Sequence, residues 1–287
     1  MKRFSLFLII LFFTIGCSNL KPTDILNSFT PSNGYEVTEY AYGNDERQKL
    51  DVYIPKKRND KPPIVFVYGG AWKDGNKNDY KFVAQALTGL GYTVIIPDYR
   101  LYPAVIFPDF IDDVADAIEY TNQHARLLLG RPMSSYVLMG HSAGAHTVAL
   151  LATDLSYLQN RKVNTKLAAV IALSGPYDLD LKDPEIVPIF AGATALQAKP
   201  LANVHSGMAP MLLIHGEDDK RVLPFHTVRF TKAVTEAGNP VETRLYKGVD
   251  HVRIIASLGA PLRFLNNSYK DIKDFLEEVY DEGENEK

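Results

Sequence analysis

Short runs of continuously apolar residues alternate along this chain with longer stretches whose apolar positions recur every three or four residues. The runs fall at 63–69 (PIVFVYG), 92–98 (YTVIIPD), 135–140 (SYVLMG), 167–175 (LAAVIALSG), 210–216 (PMLLIHG) and 242–248 (ETRLYKG). Most are apolar throughout, which predicts strands covered on both faces, as in a parallel sheet. Two further β-like segments, 35–43 and 49–55, come first, and the alternation in the former predicts a half-exposed antiparallel strand. Helical periodicity marks 79–90, 107–125, 142–153, 225–238 and 269–281. In 107–125, Ile111, Val114, Ala115 and Ile118 make the apolar face. Asp112, Asp113, Asp116 and Glu119 are expected to face water, as a solvated surface and not a metal site. Strand and helix in alternation, behind an antiparallel pair, predict an α/β fold: a doubly wound, mostly parallel eight-stranded sheet with helices on both faces. Residues 179–206 show no clear element and are expected to form a small cap insertion. There is no internal repeat, and 34–282 reads as a single domain.

The first residues follow another rule. Lys2 and Arg3 precede an apolar run at 4–15, and Gly16-Cys17 follows it. Twelve residues are too few to span a bilayer as a helix and suit the apolar region of a secretory signal. Cys17 is the only cysteine, so no intrachain disulfide can form. Its position resembles the lipobox of bacterial lipoproteins, with Thr14 departing from the leucine usual three residues before the cysteine. That resemblance implies a signal peptide at 1–17, lipidation of Cys17 and a membrane-anchored place in the cell envelope; plain secretion is the alternative. Residues 18–33, rich in Ser, Asn, Pro and Thr, read as a tether.

Composition narrows the function little. Of 287 residues, 46% are hydrophobic and 23% charged, as in an ordinary globular protein. The formal net charge of −3, with scattered basic residues, gives no footprint for nucleic acid.

Chemistry enters after the predicted strands. VLMGHSAGAH (137–146) holds Ser142 between Gly140 and Gly144, a spacing that lets a tight strand-to-helix turn expose the serine oxygen. YGGAWKDG (68–75) follows another strand, and its paired glycines can turn backbone N–H groups toward a developing oxyanion. HGEDDKRVLP (215–224) offers Glu217, Asp218 and Asp219 as a carboxylate partner, and GVDHVR (248–253) offers His251. The order serine, acid, histidine, each just past a strand with a Gly-Gly loop upstream, is that of a nucleophilic triad on this kind of sheet. His141 and His146 read as packing or pocket wall and His215 as a structural hydrogen-bonder. His205 and His226 have no context.

Over roughly 35–280 the chain resembles the carboxylesterase branch of the α/β-hydrolases, which includes BD-FAE, hormone-sensitive-lipase-like and kynurenine-formamidase-like esterases. YGGAW is similar to that branch's HGGGW-type motif. DYRLYP with FPDFIDDVADAI, LSGPYDL and HGEDDKRV match further stretches. The resemblance implies Ser142 as nucleophile, His251 as base and Asp219 as the acid in preference to Asp218. It implies an oxyanion hole from Gly70, Ala71 and Ala143, with Gly69 shaping the loop, and neither cofactor nor metal. Tyr68 replaces the family's histidine, which braces the oxyanion loop. Trp72, Tyr99, Tyr177 and Phe190 are candidate aromatic walls for a short-acyl pocket. The expected activity is hydrolysis of small carboxylic esters. Amide cleavage, by an arylformamidase or exopeptidase-like enzyme, is the alternative. A surface-anchored binding protein on the same fold is a third reading, although such proteins usually lose a triad member.

Overall fold

The computed structural model describes residues 22–285. The expected signal peptide, Cys17 and the first part of the expected tether lie outside the described residues. The strands are β1 (Tyr35–Ala41), β2 (Lys49–Pro55), β3 (Ile64–Val67), β4 (Val94–Pro97), β5 (Ser135–His141), β6 (Lys166–Leu173), β7 (Met211–Gly216) and β8 (Val241–Tyr246). The helices are α1 (Pro22–Ser28), α2 (Lys81–Thr88), α3 (Asp109–Gln123), α4 (Ala125–Leu129), α5 (Ala143–Thr153) and α6 (Ser156–Gln159). Beyond them come α7 (Ala195–Ala198), α8 (Phe225–Glu236), α9 (His251–Ala256) and α10 (Ser268–Asn285).

The eight strands form one sheet in the order β1-β2-β4-β3-β5-β6-β7-β8. The pairs β1–β2 and β2–β4 are antiparallel and the rest are parallel. This is the doubly wound architecture expected from the strand–helix alternation. All four residues of β3 and of β4 are buried, as helices on both faces require. Helix α5 is buried along its whole length, so it needs no polar face. The apolar stripe of α3 turns inward through Phe110, Ile111, Val114 and Ile118.

Two expectations need correction. Asp113 does not face water: it is fully buried, and Arg100 and Gln48 both donate to its carboxylate. Buried carboxylates persist only when paired in this way, and a helical pattern cannot reveal partners supplied by distant loops. Asp112 and Asp116 instead share Arg161 at the surface. The second correction concerns the tether. Pro22–Ser28 are helical, with Leu26 buried and Asn27 bonded to the backbone of Asn78, Asp79 and Phe82.

The stretch between β6 and β7 makes the expected small cap. Phe190 anchors it, packing on Trp72, Phe107, Phe110 and His146. Phe107 N also donates to Ile189 O at 2.8 Å.

Candidate active site

Between the last residue of β5 and the first of α5 the chain turns on one residue. Ser142 has φ 56° and ψ −121°, a conformation that costs roughly 1–3 kcal/mol in a non-glycine residue. Neighbouring packing enforces it. A Cβ on Gly140 would stand 2.3 Å from Gly144 O, and one on Gly144 only 2.0 Å from Val67 O. Only hydrogen fits at either place. Ser142 N donates to Leu173 O, and Ser142 O accepts from His146 N, so the turn is tied at both sides.

Three loops bring the triad candidates together. Ser142 Oγ lies 2.9 Å from His251 Nε2, and His251 Nδ1 lies 2.6 Å from Asp219 Oδ2. A carboxylate only accepts, so Nδ1 carries the proton and Nε2 is left to take the serine's. Asp219 is fixed in turn: its Oδ1 accepts from the backbone N–H of Arg221 and of Val222, both at 2.9 Å. Burial works against its charge, but hydrogen bonds from His215 and His251 outweigh it and hold Asp219 well below the usual carboxylate range. Glu217 and Asp218 are exposed. His251 opens α9, whose N-terminus is capped by the Asp250 side chain.

Two more histidines support the triad. His215 Nε2 lies 2.8 Å from Val222 O and 3.3 Å from Asp219 Oδ2. Because a carbonyl only accepts, Nε2 holds the proton, and Nδ1 accepts from Thr227 Oγ1 at 2.7 Å. The second is His141, whose Nε2 donates to the backbone oxygen of His251 at 3.1 Å. Burial pushes His141 down to about 3, so it stays neutral beside the working imidazole.

The glycine loop after β3 folds against the serine turn. A Cβ on Gly69 would come within 2.8 Å of Ser142 Cβ. Gly70, Ala71 and Trp72 all have positive φ, at 138°, 52° and 58°. Gly70 O accepts from Lys73 N and Asp74 N, while the N–H groups of Gly70 and Ala71 have no backbone acceptor among the described residues. Ala143 heads α5, where first-turn amides lack intrahelical partners. These are the three groups expected to face an oxyanion.

Tyr68 braces this loop by a route the sequence does not announce. Its ring stacks between Tyr80 and Tyr99, and its hydroxyl donates to Asp98 Oδ1 at 2.7 Å. Arg47 Nη2 donates both to the Tyr68 hydroxyl (2.9 Å) and to Gly75 O (2.7 Å). Asp98 Oδ1 also accepts from Lys77 N. Asp98 opens the DYRLYP stretch and Arg47 carries no local motif, and only the fold brings the two beneath the glycine loop.

The expected aromatic walls are packed into the core. Trp72 sits at the end of the oxyanion loop, against Phe190 and His146. All four candidates are buried, Trp72 and Phe190 as well as Tyr99 and Tyr177, so none forms an exposed pocket wall, which corrects the expectation. Tyr99 is 1% exposed, beneath the loop, and donates to Tyr68 O. Tyr177 is fully buried and stacked on Phe230. Aromatic side chains this apolar serve core packing as readily as a pocket, and spacing alone does not separate the two.

A serine held on a strained turn at the carboxyl ends of a mostly parallel sheet, in contact with a histidine that a buried aspartate grips, defines the α/β-hydrolase class. The comparisons agree with that geometry. The chain belongs to the BD-FAE family, whose profile matches residues 50–234. The profile of the prolyl oligopeptidase family matches residues 192–283, the part that holds His251. A probable isoprenylcysteine alpha-carbonyl methylesterase of Oryza sativa subsp. japonica is 29% identical over 248 residues, covering 77% of this chain and 59% of its own. The kynurenine formamidase of Danio rerio is 26% identical over 235 residues, covering 77% and 76%. The chain spans between 55% and 59% of the length of the plant methylesterases it matches. Among solved structures, esterase 2 of Thermogutta terrifontis, phosphoramylated by tabun, superposes with a TM-score of 0.72 at 25% identity. That superposition covers 86% of this chain and 95% of the esterase.

Proposed function

We propose that this protein is a serine carboxylesterase acting on small esters through an acyl-enzyme. The observation that carries the reading is the pair of contacts through one imidazole, 2.9 Å to the serine oxygen and 2.6 Å to the aspartate. Ser142 attacks the ester carbonyl while His251 takes its proton. The oxyanion is held by the N–H groups of Gly70, Ala71 and Ala143, each donor worth roughly 2.7–4 kcal/mol in the transition state. His251 then returns the proton to the departing alcohol, and Asp219 offsets the imidazolium charge. Water repeats the sequence to free the acid. Methylesterase relatives and the esterase neighbour support the ester reading.

Protein lacking residues 1–17 should cleave p-nitrophenyl acetate and butyrate and react with a fluorophosphonate probe. Ser142→Ala should lower kcat by on the order of 10⁶-fold. Activity equal to the parent's in that variant would sink the assignment. The formamidase relatives favour a second reading, cleavage of a small amide. Rates on N-formylkynurenine that exceed those on simple esters would select it.

The same proposal has the protein exported and lipid-anchored through Cys17 on the bacterial cell envelope, with secretion as the alternative. The basic, apolar, then small-residue order of 1–17 supports it. Cys17→Ser should move the protein from the membrane fraction to the soluble one.

A further inference from the structure

We propose that the alcohol portion of the substrate carries an anionic group, a carboxylate or a phosphate, received by Lys220 and Arg221. This rests on the ester-hydrolase reading and deepens it. The imidazole that deprotonates Ser142 must also protonate the leaving oxygen. The alcohol half of a bound ester therefore lies on the His251 side of the serine. The loops after β7 and β8 border an open groove of about 480 Å³ whose lining includes His251.

Five charged side chains line that groove. Lys220, Arg221 and Arg253 are cations; Asp218 and Asp250 are carboxylates. Asp250 is already engaged: it pairs with Arg253 at 3.4 Å and caps the first turn of α9. What remains is Asp218 against two exposed cations. Neither the Lys220 nor the Arg221 side chain makes an ion pair or hydrogen bond among the described residues. A local excess of positive charge beside His251 stands out on a chain whose formal net charge is −3. Its effect is differential: an anion there is attracted before cleavage, and the alcohol is held while the proton is transferred.

The test uses two acetyl esters of the same shape, 4-acetoxybenzoate and 4-acetoxybenzamide, on protein lacking residues 1–17. The readout is the ratio of their kcat/KM values, which cancels differences in expression and folding. Intrinsic reactivity cancels when ratios are compared between variants. The ratio should be about fivefold higher for the parent than for Lys220→Gln/Arg221→Gln, as ~1 kcal/mol of exposed charge pairing provides. It should shrink as salt is raised. Lys57→Gln, at the opposite end of β2, removes a like charge and should retain the parent's ratio. A ratio unmoved by the double variant, or lowered equally by Lys57→Gln, overturns the anion subsite while the neutral ester still reports an esterase. Failure to hydrolyse either ester overturns the esterase reading and the subsite with it.

Discussion

Taking a single oxygen from the molecule, in Tyr68→Phe, separates the brace of the oxyanion loop from its packing. The ring would keep its stacking on Tyr80 and Tyr99, while Asp98 and Arg47 would each lose one hydrogen-bond partner. Unfolding free energy should fall by about 1–2 kcal/mol in urea titrations. Because the loop's amides meet full charge only in the transition state, kcat should drop by roughly tenfold with little change in KM. An unaltered kcat would mean that stacking alone positions the loop. The serine, the aspartate and the histidine that meet were legible in the sequence because each follows a strand end, where such sheets gather their chemistry. The brace was not. Its members lie 21 and 30 residues from Tyr68, joined only by tertiary contacts. The same holds for the second histidine on Asp219: His215 reads as a structural hydrogen-bonder in sequence, and only the fold shows which carboxylate it holds.

Helix α5 and strand β3 approach so closely that one methyl group is too many. In Gly144→Ala the added carbon would meet the backbone carbonyl of Val67, which cannot swing aside as a side chain can. Overpacking of this kind costs about 1–3 kcal/mol, and here the displaced helix carries the Ser142 turn on its first residue. Thermal scans should show a lowered Tm, and activity should fall more than stability does, by about 100-fold. A variant with parental turnover would show that the turn tolerates a displaced helix. Sequence pattern captured the long elements well, because a buried strand or an amphipathic helix repeats its signal over many residues. Helices α1 and α9 escaped it. Each has seven residues or fewer, and each is stabilised by contacts from elsewhere: Leu26 against the position of Gly259, Ile254 and Ile255 into the core.

For the whole molecule, three buried or half-buried histidines set an acid limit on stability. Burial lowers His141 to about 3 and His146 and His226 to about 4. An unfolded histidine takes its proton near 6.5. Between that value and about 4 the unfolded chain binds more protons than the folded one, so stability falls as pH falls through this window. For His146 alone the loss amounts to about 3 kcal/mol. His146→Gln, whose amide can still reach Ala198 O, should be less stable at neutral pH but lose less on going to pH 4.5. Identical slopes for variant and parent would contradict this.

Arg47 belongs to the connection between the two antiparallel strands at the rim, yet it supports the floor of the reaction centre. That edge is thus part of the machine. A protein shortened to begin after β2 would retain Ser142, His251 and Asp219, and would lose the footing of the loop that the proposed reaction sets beneath its negative oxygen.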